Sequence, residues 1–400
     1  MVIDAHTHLG LNEFCDDGTE VFEYELQNNP DDFIRFMDNH GISKAVVLPI
    51  PGNNYNSKLS NNYLFEAMVK YPGRFIPFCK LDGDLAINLM CRSFYGAKYH
   101  MVYEKYSKRE LTKYYKEMEY YGFPLIVHAN FKNKSKQIHN ILSIAPKLQI
   151  IVAHMGRGHI YTDEMVYDLI DEFKGNTNVY FETSTVGRIQ VIEYACKTIG
   201  SNRLMFGTDY PFGKAWFKNM YDYNDEVEPI TEASISVDDK YNLLCGTILS
   251  IAEKCDECRK QFFVRPIIPN DVEIMLRKIS NLTKDDIKLL ALEKKMGLLK
   301  NCIRKCNHVY VALFENEIVG FFRESGRANN SYMLEEIVVF NEFRGNGYSK
   351  KIMDYFIKFF PNAFAKTHAN NVKINSLLSE YGFEQDNGKR IINWTRNDRR

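Results

Sequence analysis

The 400-residue sequence has neither a net charge nor a long apolar run. Its 51 basic and 51 acidic side chains balance, which argues against binding nucleic acid or a membrane surface through bulk charge. No stretch approaches the roughly 20 apolar residues that a membrane-spanning helix needs. The first apolar run begins at Val2, so we expect no signal peptide. We therefore expect a cytoplasmic protein that acts on small molecules, either alone or as a homo-oligomer.

The nine cysteines are odd in number and lie mostly within apolar segments, as expected for reduced thiols of a cytoplasmic protein. Two pairs, Cys255-x-x-Cys258 and Cys302-x-x-x-Cys306, have spacings that a zinc site or a redox pair could use. The first pair is better explained as part of a linker, and the second as part of an amphipathic helix.

The length of the chain and its uneven charge predict two domains. Residues 262–400 contain 23 basic and 16 acidic side chains, a net charge of +7, so the first 261 residues have a net charge of −7. We place the first domain at residues 1–255, a linker at 256–261 and the second domain at 262–400.

Short apolar runs alternate with helical periodicity through the first domain, which is typical of a parallel sheet buried on both faces. Eight such units in about 250 residues predict a (β/α)8 barrel, with a doubly wound open sheet as the alternative architecture. The runs are 2–8, 44–50, 75–81, 94–100, 124–128, 148–154, 179–183 and 203–209.

Polar side chains stand where several of these runs end, and in a barrel the strand ends form the active-site rim. Alternate residues of a strand share one face, so His6 and His8 lie about 7 Å apart on the same side. His128, His154 and Asp209 end three later runs. Imidazole nitrogens and a carboxylate suit a borderline divalent metal. The sequence therefore predicts a shared polar site at this rim.

The motifs DAHTHLG, PLIVHAN, VAHMGRG and FGTDYP resemble the amidohydrolase superfamily, in particular its amidohydrolase-related branch of hydrolases, lactonases and decarboxylases. The resemblance covers about residues 1–255. It implies that His6, His8, His128 and Asp209 bind one divalent metal, with zinc expected first and manganese, iron or cobalt as alternatives. His154 and Asp209 would then be catalytic, with His154 beside the metal.

The substrate is expected to be small and carboxylated. We expect hydrolysis of an amide, ester or lactone bond, with decarboxylation at the same metal site as the alternative. Lys98 and His100 end the fourth run and could face the substrate, although a purely structural role is at least as plausible. The loop residues Arg157, His159 and Arg188 could pair with a substrate carboxylate, although loop charges are usually only solvated.

The second domain contains a strand, a glycine-rich turn and a helix in direct succession. The strand 332–340 leads directly into the turn 341–349, and the helix 350–360 follows. Free N–H groups at a helix N-terminus, approached through glycines, bind phosphate well. A strand at 262–265, helices at 272–279 and 284–299 and strands at 308–314 and 317–323 precede this unit.

The sequence EEIVVFNEFRGNGYS resembles the acetyl-CoA-binding motif of the GNAT N-acetyltransferases, and the likeness covers about residues 262–396. The resemblance implies an α+β fold with acetyl-CoA as cofactor. Ser349 stands where glycine or alanine is usual, and Leu378 stands where the family often has a tyrosine acid. The implied acetyl-CoA-binding residues are Val338, Val339, Arg344, Gly345, Asn346, Gly347, Tyr348, Ser349 and Asn371.

Glu335 and Glu336 are the candidates for deprotonating an acceptor amine, and strand periodicity allows only one of them to face the site. Together, the two halves lead to the hypothesis of a bifunctional enzyme, in which a metal-dependent hydrolase is joined to an N-acetyltransferase. Because a tyrosine is missing at position 378, a non-catalytic acetyl-CoA-binding or scaffold role for the second domain stays open.

Overall fold

The structure is a computed structural model that describes residues 1–15, 28–52, 54–129, 133–157, 162–212, 222–327, 331–386 and 391–396. The chain folds as two compact units, Met1–Cys258 and Arg259–Arg400. Within the described residues, no helix is both long enough and apolar enough to cross a membrane.

The first unit is built on parallel strands whose side chains are buried on both faces. Each strand pairs with the next in sequence order, in one sheet of three strands and one of six. The strands are β1 Val2–Leu9, β2 Ile42–Pro49, β3 Phe75–Pro77, β4 Cys79–Lys80, β5 Ala97–His100, β6 Leu125–His128, β7 Ile150–Val152, β8 Val179–Glu182 and β9 Leu204–Met205.

The two sheets join into one barrel at both of their edges. The predicted run 75–81 is split at Phe78, whose N–H donates to Val47 at 3.0 Å, whereas the N–H of Cys79 donates to Gly96 at 2.9 Å. At the other edge, the backbone N–H of Ala5 donates to the carbonyl oxygen of Phe206 at 2.7 Å, and the backbone N–H of Asp209 donates to the carbonyl oxygen of His6 at 2.8 Å. The expected eight-run parallel α/β fold is thereby confirmed.

Helices cover the outside of this barrel, and several begin at the capping residues that the sequence provides. Asn29 and Asn56 each accept a hydrogen bond from a backbone N–H in the first helical turn. The helices are Pro30–Asn39, Ser57–Lys70, Leu85–Cys91, Lys108–Tyr121, Lys134–Ile144, Asp163–Phe173, Ile189–Ile199, Asn224–Glu232, Val237–Tyr241 and Thr247–Lys260.

The last of these helices extends into the stretch 256–261 that the sequence predicts as a linker. The helix Thr247–Lys260 keeps Ile251 and Cys255 buried on one face, so the charged residues after position 253 can stay at its surface. Cys255 and Cys258 therefore lie on a helix, and neither forms a disulfide bond.

The second unit contains a seven-stranded mixed sheet in the order β10-β11-β12-β13-β14-β16-β15. Among the described strands of this sheet, β13 and β14 form the one parallel pair. They are in register only from Tyr332 to Leu334, so the rest of β13 continues without that neighbour. The strands are β10 Phe263–Pro266, β11 Val309–Phe314, β12 Glu317–Arg327, β13 Ser331–Val339, β14 Ala363–His368, β15 Glu384–Gln385 and β16 Ile391–Thr395.

The helix predicted at 284–299 is wrong as a single element. The structure has two helices, Lys284–Leu289 and Met296–Arg304, because Ala291 takes a left-handed φ of +51° and ends the first one. Leu292 then turns inward and is fully buried. The other helices of this unit are Val272–Ser280, Tyr348–Phe359 and Val372–Glu380.

Candidate functional sites

Three ligand atoms converge at the C-terminal rim of the barrel. His6 and His8 project from the same face of β1, and Asp209 follows β9 with a φ of +56°. The two histidine Nε2 atoms lie 3.2 Å apart. Asp209 Oδ1 lies 3.3 Å from His8 Nε2 and 3.5 Å from His6 Nε2. The structure thus brings together three of the four predicted ligands.

Hydrogen bonds at the outer nitrogens show which ring nitrogen of each histidine carries the proton. His6 Nδ1 lies 2.8 Å from Glu182 Oε1, and His8 Nδ1 lies 2.9 Å from the carbonyl oxygen of Pro49. Both partners accept hydrogen bonds, so Nδ1 is protonated in each ring and both Nε2 lone pairs face Asp209. Two lone pairs and a carboxylate oxygen at such short separations are a donor set that fits a divalent cation.

Lys98 lies against this donor set. Its Nζ is 3.2 Å from His6 Nε2, and burial lowers the pKa of Lys98 to about 8 although Asp209 and Glu182 act in the opposite direction. Burial also raises the pKa of Asp209, although the nearby His8 and Lys98 act in the opposite direction.

His128 and His100 lie beside the donor set as a stacked pair. Their ring centroids are 4.0 Å apart, and the centroid of His128 is 4.9 Å from that of His154. The described residues contain two groups of possible metal ligands, and within each group the ligand atoms all lie within 4.8 Å of one another. The groups are His6–His8–Asp209 and His6–His154–Glu182. Because neither group includes His128, its role as a metal ligand stays a prediction.

His154 follows β7 in a left-handed conformation with a φ of +54°, and its Nε2 lies 4.0 Å from Asp209 Oδ2. Its Nδ1 lies 2.7 Å from Ser184 Oγ, which in turn donates to Glu182 Oε1 at 2.9 Å. Burial lowers the pKa of His154 well below its usual value, so the imidazole is neutral near pH 7. A neutral imidazole whose outer nitrogen is engaged can accept a proton at Nε2.

The loop arginines proposed to bind a substrate carboxylate already have partners in the protein. Arg157 Nη1 donates to the carbonyl oxygen of Thr185 at 2.5 Å, and Arg188 pairs with Asp163 at 3.1 Å. Substrate binding by either arginine stays a prediction, and His159 lies outside the described residues.

The predicted phosphate cradle, residues 344–349, follows the end of β13 and includes the first turn of the helix Tyr348–Phe359. Gly345 and Gly347 take left-handed φ values of +90° and +76°, which favour glycine. The first N–H groups of the helix have no intrahelical acceptors, so they are available to an anion. Arg344 donates to Val339 at 3.0 Å and pairs with Asp286 at 2.8 Å. Asn371 caps the helix Val372–Glu380.

A β-bulge corrects the expectation that only one of Glu335 and Glu336 can face the site. Glu336 pairs with Arg323 in the strand register, the next pair joins Leu334 to Glu324, and Glu335 is the extra residue between them. Arg323 reaches both carboxylates, Glu336 at 2.6 Å and Glu335 at 3.5 Å.

Both carboxylates are engaged by other groups. Glu335 also accepts hydrogen bonds from Lys295 at 3.0 Å and Ser325 at 2.8 Å. Burial raises the pKa of Glu335, but these two hydrogen bonds and the charges of Lys295 and Arg323 together outweigh it, so the pKa is lowered. A role for either glutamate as a base stays a prediction. Leu378 is buried, and the Tyr381 hydroxyl lies 2.8 Å from Asp354 and 2.9 Å from the carbonyl oxygen of Lys350.

Each of the two units matches the sequence profile of a known protein family. Residues 3–247 match the sequence profile of the amidohydrolase family, which is more than half of the chain. The chain belongs to the amidohydrolase family. Residues 277–383 match the acetyltransferase (GNAT) family, so the amidohydrolase domain is followed by a GNAT domain.

Individual relatives of the amidohydrolase domain include decarboxylases. The gamma-resorcylate decarboxylase of Polaromonas sp. is 24% identical over an alignment of 262 residues, and the match covers 46% of this chain and 79% of that protein. The 5-carboxyvanillate decarboxylase of Novosphingobium aromaticivorans, solved with manganese, is 16% identical with a TM-score of 0.50, over 63% of this chain and 96% of that one. A zinc-bound amidohydrolase of Burkholderia multivorans is 13% identical with a TM-score of 0.51, over 63% and 99%. At these identities the two solved structures show the fold alone.

Sequence reasoning missed three buried residues of the amidohydrolase site. Glu182 and Ser184 connect His6 to His154, and Asp4 joins β1 to the segment before Asp209. Asp4 accepts hydrogen bonds from the backbone N–H groups of His6 and Thr208, both at 3.1 Å. Burial raises the pKa of Asp4 to about 7. The available signal was a carboxylate inside an apolar strand, in VIDAH for Asp4 and in VYFET for Glu182.

Proposed function

We propose that the amidohydrolase domain is a metal-dependent hydrolase that cleaves an amide, ester or lactone bond in a small carboxylated molecule. The observation that carries this proposal is the donor set His6–His8–Asp209, with the Nε2 of His154 lying 4.0 Å from Asp209. These three residues, together with His128, would hold the metal. When bound, a divalent cation supplies Lewis acidity towards a carbonyl oxygen.

The residues of the chain supply the proton transfers and the binding groups. His154 accepts a proton from the attacking water at Nε2, because Ser184 engages its Nδ1. Asp209 offers a second carboxylate oxygen on the side that faces His154. Lys98, a buried cation beside the donor set, is the proposed partner of the substrate carboxylate, and the His128–His100 pair would form the wall next to it.

Decarboxylation is the second candidate, and it is favoured by the Polaromonas relative, which is a decarboxylase. The same side chains would take part in this reaction, but with different roles. Lys98 would hold the carboxylate before the carbon–carbon bond breaks, and His154 would return a proton to the carbon that loses carbon dioxide.

Isotope labelling separates the two reactions. The zinc- or manganese-loaded protein would be incubated with lactones, amides and carboxylated aromatic acids in water enriched in heavy oxygen. Hydrolysis predicts labelled oxygen in the product and no released carbon dioxide. Released carbon dioxide with a deuteron on the product carbon in heavy water would instead establish decarboxylation. A metal-loaded protein that converts none of these compounds would contradict both candidates.

We further propose that the GNAT domain transfers acetyl from acetyl-CoA to an amine. The carrying observation is the phosphate cradle, with two left-handed glycines at the N-terminus of the helix Tyr348–Phe359. Arg344 is the first residue of the cradle, and Glu335 and Glu336 lie on β13, the strand that precedes it. If the domain only binds acetyl-CoA, as the leucine at position 378 allows, calorimetry would show binding while no amine is acetylated.

Arg344→Ala tests this cradle directly. Removing a charged donor to a phosphate costs about 1.5–3 kcal/mol, so we expect KM for acetyl-CoA to rise about 10- to 100-fold with little change in kcat. The matched control is Arg304→Ala, which removes an exposed cation from another helix of the same domain. An unchanged KM in the Arg344 variant would contradict the assignment of the cradle.

The presence of both domains in one chain suggests that they act on one metabolite. In this proposal the amidohydrolase domain releases an amine and the GNAT domain acetylates it. Substrate screens on the full chain, with each site inactivated in turn, test the link. Substrates without a chemical relationship would refute it.

A further inference from the structure

Glu182 lies at the centre of a buried hydrogen-bond network below the proposed metal site. Its side chain is fully buried at the end of β8. Oε1 accepts hydrogen bonds from His6 Nδ1 at 2.8 Å, from Ser184 Oγ at 2.9 Å and from the backbone N–H of His154. Oε2 accepts the backbone N–H of Ser184 at 3.0 Å. One carboxylate thus contacts both a proposed metal ligand and the loop that holds the proposed base.

The packing around Glu182 leaves little freedom to this arrangement. A Cβ atom added at Gly207 would lie 2.5 Å from Glu182 Oε2 and 2.9 Å from the Cβ of His6. The absence of a side chain at Gly207 is therefore what allows the carboxylate and the histidine to approach each other.

The directions of these hydrogen bonds follow from the chemistry of a carboxylate. An ionised carboxylate only accepts, so the Ser184 hydroxyl donates to Glu182, and its lone pair receives the Nδ1–H of His154. His6 donates its own Nδ1–H to Glu182 directly. Both histidines therefore have an unprotonated Nε2, which is the atom that each needs for its proposed task.

We propose that Glu182 is a positioning residue with two hydrogen-bond connections, which we call arms. The direct arm joins Glu182 to His6 and holds it as a metal ligand, and the serine arm joins Glu182 through the hydroxyl of Ser184 to His154 and holds it as a base. This inference rests on the proposed function, since it assigns Glu182 to the same site. It goes further in predicting that the two arms can be broken separately. The direct arm controls metal affinity, and the serine arm controls turnover.

Four variants separate these arms from a general loss of structure. Glu182→Gln keeps the size of the side chain but removes its charge. Ser184→Ala removes the hydroxyl that links Glu182 to His154 but keeps the backbone N–H that donates to Glu182, and Ser184→Thr restores a hydroxyl. Thr183→Val is the matched control, because Thr183 is buried on the same strand end and its hydroxyl has no hydrogen-bond partner among the described residues.

The readouts are zinc affinity by competition with a coloured chelator, the visible spectrum of the cobalt-substituted protein, kcat, and the thermal melting curve. Loss of an outer hydrogen-bond partner of a metal site costs about 10- to 100-fold in affinity or activity. We expect Glu182→Gln to lose that much zinc affinity and to change the cobalt spectrum. Ser184→Ala should keep the zinc affinity and the spectrum while kcat falls about tenfold. Ser184→Thr should recover most of kcat, and Thr183→Val should match the wild type in all readouts.

Several results would overturn the inference. A wild-type protein that holds zinc, together with a Glu182→Gln variant of equal affinity and unchanged spectrum, would refute the direct arm while leaving the proposed function intact. Equal losses of affinity and kcat in Ser184→Ala would refute the separate arms. If Glu182→Gln shows no cooperative melting, the inference is tested by comparing kcat of Ser184→Ala with kcat of Ser184→Thr. A threonine variant that does not restore kcat would contradict the inference. A wild-type protein without zinc affinity would overturn the proposed function and this inference together.

Discussion

Replacing His154 with asparagine is expected to lower kcat of the amidohydrolase domain by about 10²- to 10⁴-fold, the usual contribution of a positioned acid or base. Asparagine tolerates the left-handed conformation at this position better than most residues, so the backbone should be kept. Its amide cannot take up the proton that the Nε2 of His154 accepts. Since Asp209, His6 and His8 are unchanged, metal content and KM should change little.

The matched control for this prediction is His139→Asn, which changes an exposed histidine that is paired with Glu172 on the outside of the barrel. Steady-state kinetics and metal analysis of both variants provide the measurement. A His154→Asn variant that keeps its kcat would contradict the assignment of the base. Loss of metal from that variant would make His154 a ligand instead.

Arg323→Ala is expected to destabilise the GNAT domain by about 3–5 kcal/mol, because it leaves a buried carboxylate without its partner. Arg323 donates to Glu336 through two nitrogens, at 2.6 and 2.8 Å, and both side chains are buried. Glu335 would keep Lys295 and Ser325, whereas Glu336 would lose its two hydrogen bonds from the guanidinium. Urea unfolding measures the loss of stability, and hydrogen exchange in β12 and β13 tests whether this loss lies in the GNAT domain.

The double variant Arg323→Leu/Glu336→Leu is the control, since replacing a buried ion pair with apolar side chains is often neutral or stabilising. It should be clearly more stable than Arg323→Ala. A single variant as stable as the wild type would show that the pair is not desolvated. A double variant as unstable as the single one would assign the effect to packing.

The barrel and its rim could be predicted because both follow from local periodicity. Alternate positions on one strand place His6 beside His8, and the ends of parallel strands meet at one rim, which brings Asp209 and His154 close to them. Glu182 was missed because its importance depends on His6, which is 176 residues away in the sequence. The carboxylate within an apolar run indicates a buried polar group, but the local sequence does not reveal which distant residue it contacts.

Irregular backbone accounts for the errors in the GNAT domain. Strand periodicity assigns Glu335 and Glu336 to opposite faces, and the bulge in β13 puts both within reach of Arg323. The helix predicted over 284–299 breaks at Ala291, where the sequence has no glycine to indicate a left-handed residue. Both features depend on packing against neighbouring elements, which the local sequence does not record.

The metal content of protein purified without added metal tests the central claim most directly. Mass spectrometry would compare the wild type with the His6→Ala/His8→Ala double variant, which removes two of the three convergent donors. The account predicts about one equivalent of zinc or another transition metal in the wild type and none in the variant. Absence of metal from both proteins, with no gain in thermal stability when zinc is added to the wild type, would contradict it.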